Sequence, residues 1–131
     1  MTELTNSAPE RPSIVYDIIP TTGEASILLH GWLMSYAEFT VPEHQTTSAF
    51  QDKERFRHVR QEIYLANDGH YLAVETILSG DSSCYDRTCA CWQYADKADV
   101  KPPFRHRQYL TALLKQAGIE HIHVLGQKEK A

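Results

Sequence analysis

Cysteine is scarce. Three in 131 residues are too few for a disulfide framework, and an odd number suits a reducing, cytoplasmic setting. No apolar run reaches the roughly 18 residues that a membrane span requires, so no membrane partner is expected. Residues 1–12 carry Glu3, Glu10 and two prolines but no apolar core, which does not match a secretory signal. Glycine-rich phosphate loops, Gly-x-Ser-x-Gly, His-Glu-x-x-His and Cys-x-x-Cys are all missing. Their absence removes the commonest nucleotide-binding, hydrolase and redox readings. Positive charge is not in excess either. A net charge of −4 and a pI of about 5.9 argue against a dedicated nucleic-acid binder.

What remains is an ordinary globular composition, 42% apolar and 23% charged. A chain of this length buries on the order of two-thirds of its unfolded surface, enough to fold without staples. Its organisation reads as a polar, proline-punctuated arm over residues 1–12, a single domain over 13–126 and a charged tail over 127–131.

Within the domain the pattern is mostly that of strands. Residues 13–19 are β-branched and end at Pro20, with a turn around Gly23. Residues 25–41 form a long apolar stretch, expected to be a strand bent or bulged near Gly31, with a helix as the alternative. Residues 42–47 read as a loop, and 48–60 as a segment that begins with a short helix capped by Ser48. The clearest signal is a hairpin in which residues 59–66 and 70–78 flank Asn67-Asp68-Gly69, residue types suited to left-handed turn geometry. Leu72, Val74, Thr76 and Leu78 alternate with Tyr71, Ala73, Glu75 and Ile77. Both faces carry apolar residues, which marks a central strand. A polar loop is expected over 80–88, a strand over 89–95 and a loop over 96–100. Pro102-Pro103 then leads into a helix over 104–117, with Tyr109, Leu110, Leu113 and Leu114 as its apolar stripe and Gly118 as its cap. A strand over 119–125 closes the order. The fold expected is α+β: a mostly antiparallel sheet covered on one face by the C-terminal helix.

Charge is unevenly distributed. Residues 1–50 hold six acids and one base, Arg11, while the rest of the chain is nearly neutral. Two basic clusters stand out, Lys53, Arg55, Arg57, Arg60 and Lys101, Arg105, Arg107, Lys115, and each contains Phe-Arg-His. Such runs are commonly just solvated faces. Beside the chain's tyrosines and tryptophans, however, Arg57, Arg60, Arg105 and Arg107 have the composition of a protein-binding hot spot.

Two dyads have ligand chemistry. Cys89 and Cys91, like His121 and His123, alternate on expected strands, so each pair shares a face. On neighbouring strands the four would make a Cys2His2 set suited to tetrahedral zinc, although structural zinc cysteines usually have two to four residues between them and each of these dyads has one. The competing reading is two small buried thiols and two solvated imidazoles. Cys84 lies three residues before Arg87, a cation that lowers a thiol's pKa when close. His30 sits within an apolar run, where a partner such as Glu38 or Glu75 would make it a pocket acid or base. A histidine there also serves as a hydrogen-bonded core group.

No catalytic signature survives this reading, so an enzyme is the less favoured class. The expectation is a small binding or regulatory module that acts on another protein through arginines and aromatics, with a homo-oligomer as a variant of the same idea. The alternatives are a small enzyme with a sheet-and-helix pocket using His30 or Cys84, and a domain stabilised structurally by zinc.

Overall fold

Asn67, Asp68 and Gly69 reverse the chain at the centre of the structure, a computed structural model that describes residues 9–21, 25–43, 55–81 and 84–119. Gly69 takes φ +94°, a conformation that costs a side-chain-bearing residue dearly. The Asp68 carboxylate accepts the His70 N–H at 3.0 Å, and Ala66 and His70 close the ladder at 2.8 Å. The turn joins β3 (Arg55–Ala66) to β4 (Tyr71–Asp81). Before them come β1 (Ile14–Ile18) and β2 (Ile27–Glu43), and after them β5 (Cys84–Tyr94), a 3-10 turn at Lys97–Asp99 and α1 (Leu110–Gln116).

Every strand pairs antiparallel with its chain neighbours, in the order β1-β2-β3-β4-β5. The α+β architecture with one helix against the sheet is therefore as expected. β4 lies between β3 and β5 and is buried on both faces, as its alternation of apolar residues implied.

The ends of the order are drawn together. Past β1, the Thr21 N–H donates to the Cys89 carbonyl at 3.1 Å, and Thr21 Oγ1 accepts the Cys89 N–H at 2.5 Å. Arg87 Nη2 donates to the Ile19 carbonyl at 2.9 Å. With β1 clasped to β5, the sheet curls around one face. Ile18, Leu29, Tyr64, Leu72, Val74 and Cys89 pack into a single core on that concave side. The outer face carries Ile63, Leu65, Tyr71 and Ala73 beneath Val100, Phe104 and Leu113.

Two features of β2 let this happen. A Cβ on Gly31 would lie 2.0 Å from the Leu65 carbonyl oxygen and 2.8 Å from the Ala66 Cα, so glycine is what permits β3 to come this close. The bulge falls between Leu33 and Ser35, slightly beyond Gly31. It puts Trp32 and Ser35 on the same face, and the buried Ser35 hydroxyl donates to the Leu113 carbonyl of α1 at 2.9 Å.

Several boundaries differ from expectation. Residues 80, 81 and 84–88 are strand, because Ser79, Gly80 and Asp81 pair with Asp86, Tyr85 and Cys84. Polar composition is tolerated there because the pairing lies at the sheet's end. Pro42 and Glu43 extend β2, and β3 begins at Arg55 rather than at Val59; the short helix expected from Ser48 lies outside the described residues. The helix begins at Leu110, six residues later than its apolar pattern suggested. It ends as expected, with Gly118 at φ +79° and the Ile119 N–H on the Leu114 carbonyl at 2.8 Å. Arg11, inside the expected arm, reaches β2: its guanidinium donates to the Leu33 carbonyl at 2.7 Å, and its own carbonyl accepts from Trp32 Nε1 at 2.8 Å. The expected strand over 119–125 lies almost wholly outside the described residues.

Candidate functional site

The helix starts late because its first expected turn is held elsewhere. Phe104 is buried and edge-on to Trp92, with ring centroids 5.7 Å apart. The next two backbone N–H groups go to a carboxylate. Arg105 N–H donates to Glu75 Oε1 at 2.8 Å, and His106 N–H to Glu75 Oε2 at 3.2 Å. Gln61, opposite Glu75 in the ladder, donates its amide to Glu75 Oε2 at 2.8 Å and also to the His106 carbonyl. Glu75 is 4% exposed and Gln61 is fully buried. Three of these interactions pin an irregular segment, 105–109, onto the outer face of the sheet, and the fourth ties Gln61 to Glu75 beneath it. Such a network is costly unless its members are paired, and two groups are left over: Gln61 Oε1 and His106 Nε2 have no hydrogen-bond partner among the described residues.

The clamp presents a small surface. Phe39 of β2 lies under the segment, 4.8 Å from the Tyr109 ring and 6.3 Å from the His106 ring. Tyr109 is 45% exposed, and Arg105 and Arg107 are exposed on either side of His106. Arg57 leaves β3 on the same face, one row beyond Val59, opposite Val41 and Ser79. Arg60 does not belong to this surface. Three residues on from Arg57 along a strand, it leaves by the other face. There its Nε pairs with Glu62 Oε2 at 3.0 Å, and its guanidinium lies 6.0 Å from the centre of the Tyr36 ring. Three of the four expected arginines therefore share a face, and the fourth is turned away.

Glu62 also accepts the Tyr64 hydroxyl at 2.8 Å, and burial, reinforced by that carboxylate, pushes the Tyr64 phenol well above its ordinary value. On the same concave face stand Cys89 and Cys91 of β5. A hydrogen bond from Cys91 holds the Cys89 thiol down at about 6 against the effect of burial, aided by Thr76 and the Arg87 charge. The two other expected zinc ligands, His121 and His123, lie outside the described residues. Among the described residues no group of three or more His, Cys, Asp or Glu is placed to hold a metal. Cys84 opens β5, and Arg87 is engaged with Ile19.

Where the curl opens beside the β3–β4 turn lies a cleft of about 380 Å³, floored by Ile27, Leu29, Ala66 and Leu72 and rimmed by His30, Asp68, His70 and Gln93. The volume is at the small end of ligand sites. His30 is exposed there, apart from the acids suggested for it: Glu38 pairs with His58 at 3.3 Å, and Glu75 serves the clamp. His70 Nδ1 lies 3.0 Å from Asp68 Oδ1.

Sequence reasoning missed Gln61 as a site residue and gave Glu75 only as a candidate partner of His30. The signal was a glutamate and a glutamine each flanked, two residues away on either side, by apolar side chains of a face that had to be buried. Compared with known protein families, curated proteins and solved structures, the chain matches none. No helix among the described residues is long and apolar enough to cross a membrane.

Proposed function

We propose that the chain is a binding module that docks an acidic surface of another protein through Arg105, Arg107 and Tyr109, with Phe39 as their support and Arg57 at the margin. The observation that carries this reading is the clamp. A buried carboxylate is spent on two backbone N–H groups of a segment that forms neither helix nor strand, and the result is that the backbone carrying a tyrosine and two arginines is held at the surface. Rigid aromatics and arginines are the residues that dominate binding hot spots, because little entropy is lost when they engage. Acidic partners follow from the two exposed cations, Arg105 and Arg107.

The test is recovery of cross-linked partners from extract with the wild type, an Arg105→Glu/Arg107→Glu double variant and Arg60→Glu. The wild type and Arg60→Glu recover the same acidic partner, and the double variant loses it at an unchanged melting temperature. Equal recovery by all three, or loss with Arg60→Glu, removes this surface from consideration.

A further inference from the structure

The cleft at the end of the curl takes no part in the docking surface, and its lining is selective. We propose that it binds a small organic cation, a primary ammonium on a compact apolar body.

The strand register explains why a cleft forms there. The β2–β3 ladder ends at the pair Gly31 and Ala66, so residues 27–30 of β2 run on past the β3–β4 turn, paired in the sheet with β1 alone. A hydrogen bond from the Asn67 N–H to the His30 carbonyl, at 2.8 Å, holds this overhang beside the turn. Between overhang and turn Ala66 contributes a single methyl, and Ile27, Leu29 and Leu72 line the space with it. Leu29 and Leu72 also belong to the concave core, so the floor is the apolar interior of the curl coming to the surface. Gln93, opposite Leu72 in the ladder, reaches the rim from β5. A volume of about 380 Å³ suits a one-ring molecule.

The rim selects the polar end of the ligand. Asp68 is the only Asp, Glu, Lys or Arg that lines the cleft. Its Oδ1 takes both the His70 backbone N–H and the His70 ring nitrogen Nδ1, each at 3.0 Å, which leaves Oδ2 for a ligand. A neutral imidazole that donates from Nδ1 carries its lone pair on Nε2, so the His70 ring is an acceptor as well. The cleft therefore has one full negative charge, a neighbouring acceptor and no fixed cation. An ammonium, with three donors and no acceptor, matches that set. A carboxylate would meet Asp68 with no lysine or arginine to offset the repulsion. A ligand without a polar end would cover the rim's polar groups and return nothing to them.

The experiment titrates the isotope-labelled full chain at neutral pH with phenethylamine, phenethyl alcohol and phenylacetate, which share an apolar body and differ in the polar end, and follows backbone amide shifts. The amine gives saturable shifts centred on Asp68, His70, Leu72 and Gln93. The alcohol binds at the same place about fivefold more weakly, the size of effect an exposed charge exerts, and the carboxylate does not saturate. Asp68→Asn lowers the amine to the alcohol's affinity and leaves the alcohol unchanged, which also reports that the cleft is intact. Nα-acetyl-lysine methylamide carries the same ammonium on a peptide and stands in for a protein lysine; it binds about fivefold more weakly than phenethylamine, because it lacks the compact body that the floor takes. Amine shifts that fail to saturate or centre elsewhere, a carboxylate that binds as well as the amine, or a lysine derivative that equals it overturns the proposal. So does an Asp68→Asn variant that keeps the preference for the amine or loses the alcohol.

Discussion

Two glutamates on the central strands, Glu75 and Glu62, are almost equally buried at 4% and 7% exposure, yet they solve the problem of burial in opposite ways. Glu62, on the concave face, finds its partners two residues away on its own strand, in Arg60 and Tyr64. Its network is local, and Arg60 keeps contact with water. Glu75, on the outer face, takes two backbone N–H groups from residues 30 and 31 positions away. One carboxylate tidies its own strand, while the other fixes a remote segment that has no secondary structure of its own. A buried charge satisfied by neighbours is ordinary upkeep. One satisfied by a distant irregular segment dictates where that segment lies, and this is why the arginines and tyrosine beside it read as a presented surface.

The contrast can be broken by substitution, most severely at Glu75. Glu75→Ala leaves the Arg105 and His106 N–H groups and the Gln61 amide without their acceptor. A loss of about 3–5 kcal/mol is expected, a large part of the roughly 5–15 kcal/mol that holds a domain folded. Urea denaturation reads it directly. A loss below about 1 kcal/mol would mean that water replaces the carboxylate freely. Gly31→Ala tests the closeness of β2 and β3 on which both faces depend. Its Cβ meets backbone rather than a yielding side chain, so about 1–3 kcal/mol or more is expected from the same measurement. Tyr64→Phe removes a single hydroxyl from the local network. About 1 kcal/mol is expected, and a cost matching that of Glu75→Ala would erase the distinction between the faces.

The smallest effect is at the turn, where both faces end. The His70 backbone N–H, with its ring, holds the exposed Asp68 carboxyl below its ordinary value of 3.8. A folded value below the unfolded one adds stability that is complete above 3.8 and lost as pH falls through the lowered folded value. Asp68→Asn should therefore flatten the acid limb of thermal stability slightly and leave the neutral region almost unchanged. A difference confined to neutral pH would contradict the assignment.

These residues also show what a sequence can reveal. The Asn67-Asp68-Gly69 hairpin and the two-sided burial of β4 were legible, because turn chemistry and period-two alternation are written within a dozen residues. The shared face of Cys89 and Cys91 was legible for the same reason. The helix start was not. Pro102-Pro103 and the stripe through Tyr109 and Leu113 fit a helix over 104–117 equally well, and what prevents it is Glu75, a residue some thirty positions upstream. The arginine surface was half legible. With β3 expected to begin at residue 59, Arg57 and Arg60 had no common strand on which to be sorted by face. Once the strand starts at Arg55, alternation separates them.

Amide hydrogen exchange at Arg105 and His106 tests the central claim most directly. Segments without regular structure ordinarily exchange through small local openings, whereas groups locked into the core wait for global unfolding. If Glu75 clamps residues 105–109, these two amides exchange about as slowly as those of β4, while the Arg107 amide, for which the clamp provides no acceptor, exchanges far faster. In Glu75→Gln, Arg105 and His106 lose most of that protection, and the β4 amides keep theirs. Rapid exchange of both amides in the wild type would show that the segment is an ordinary loop and that nothing is being presented.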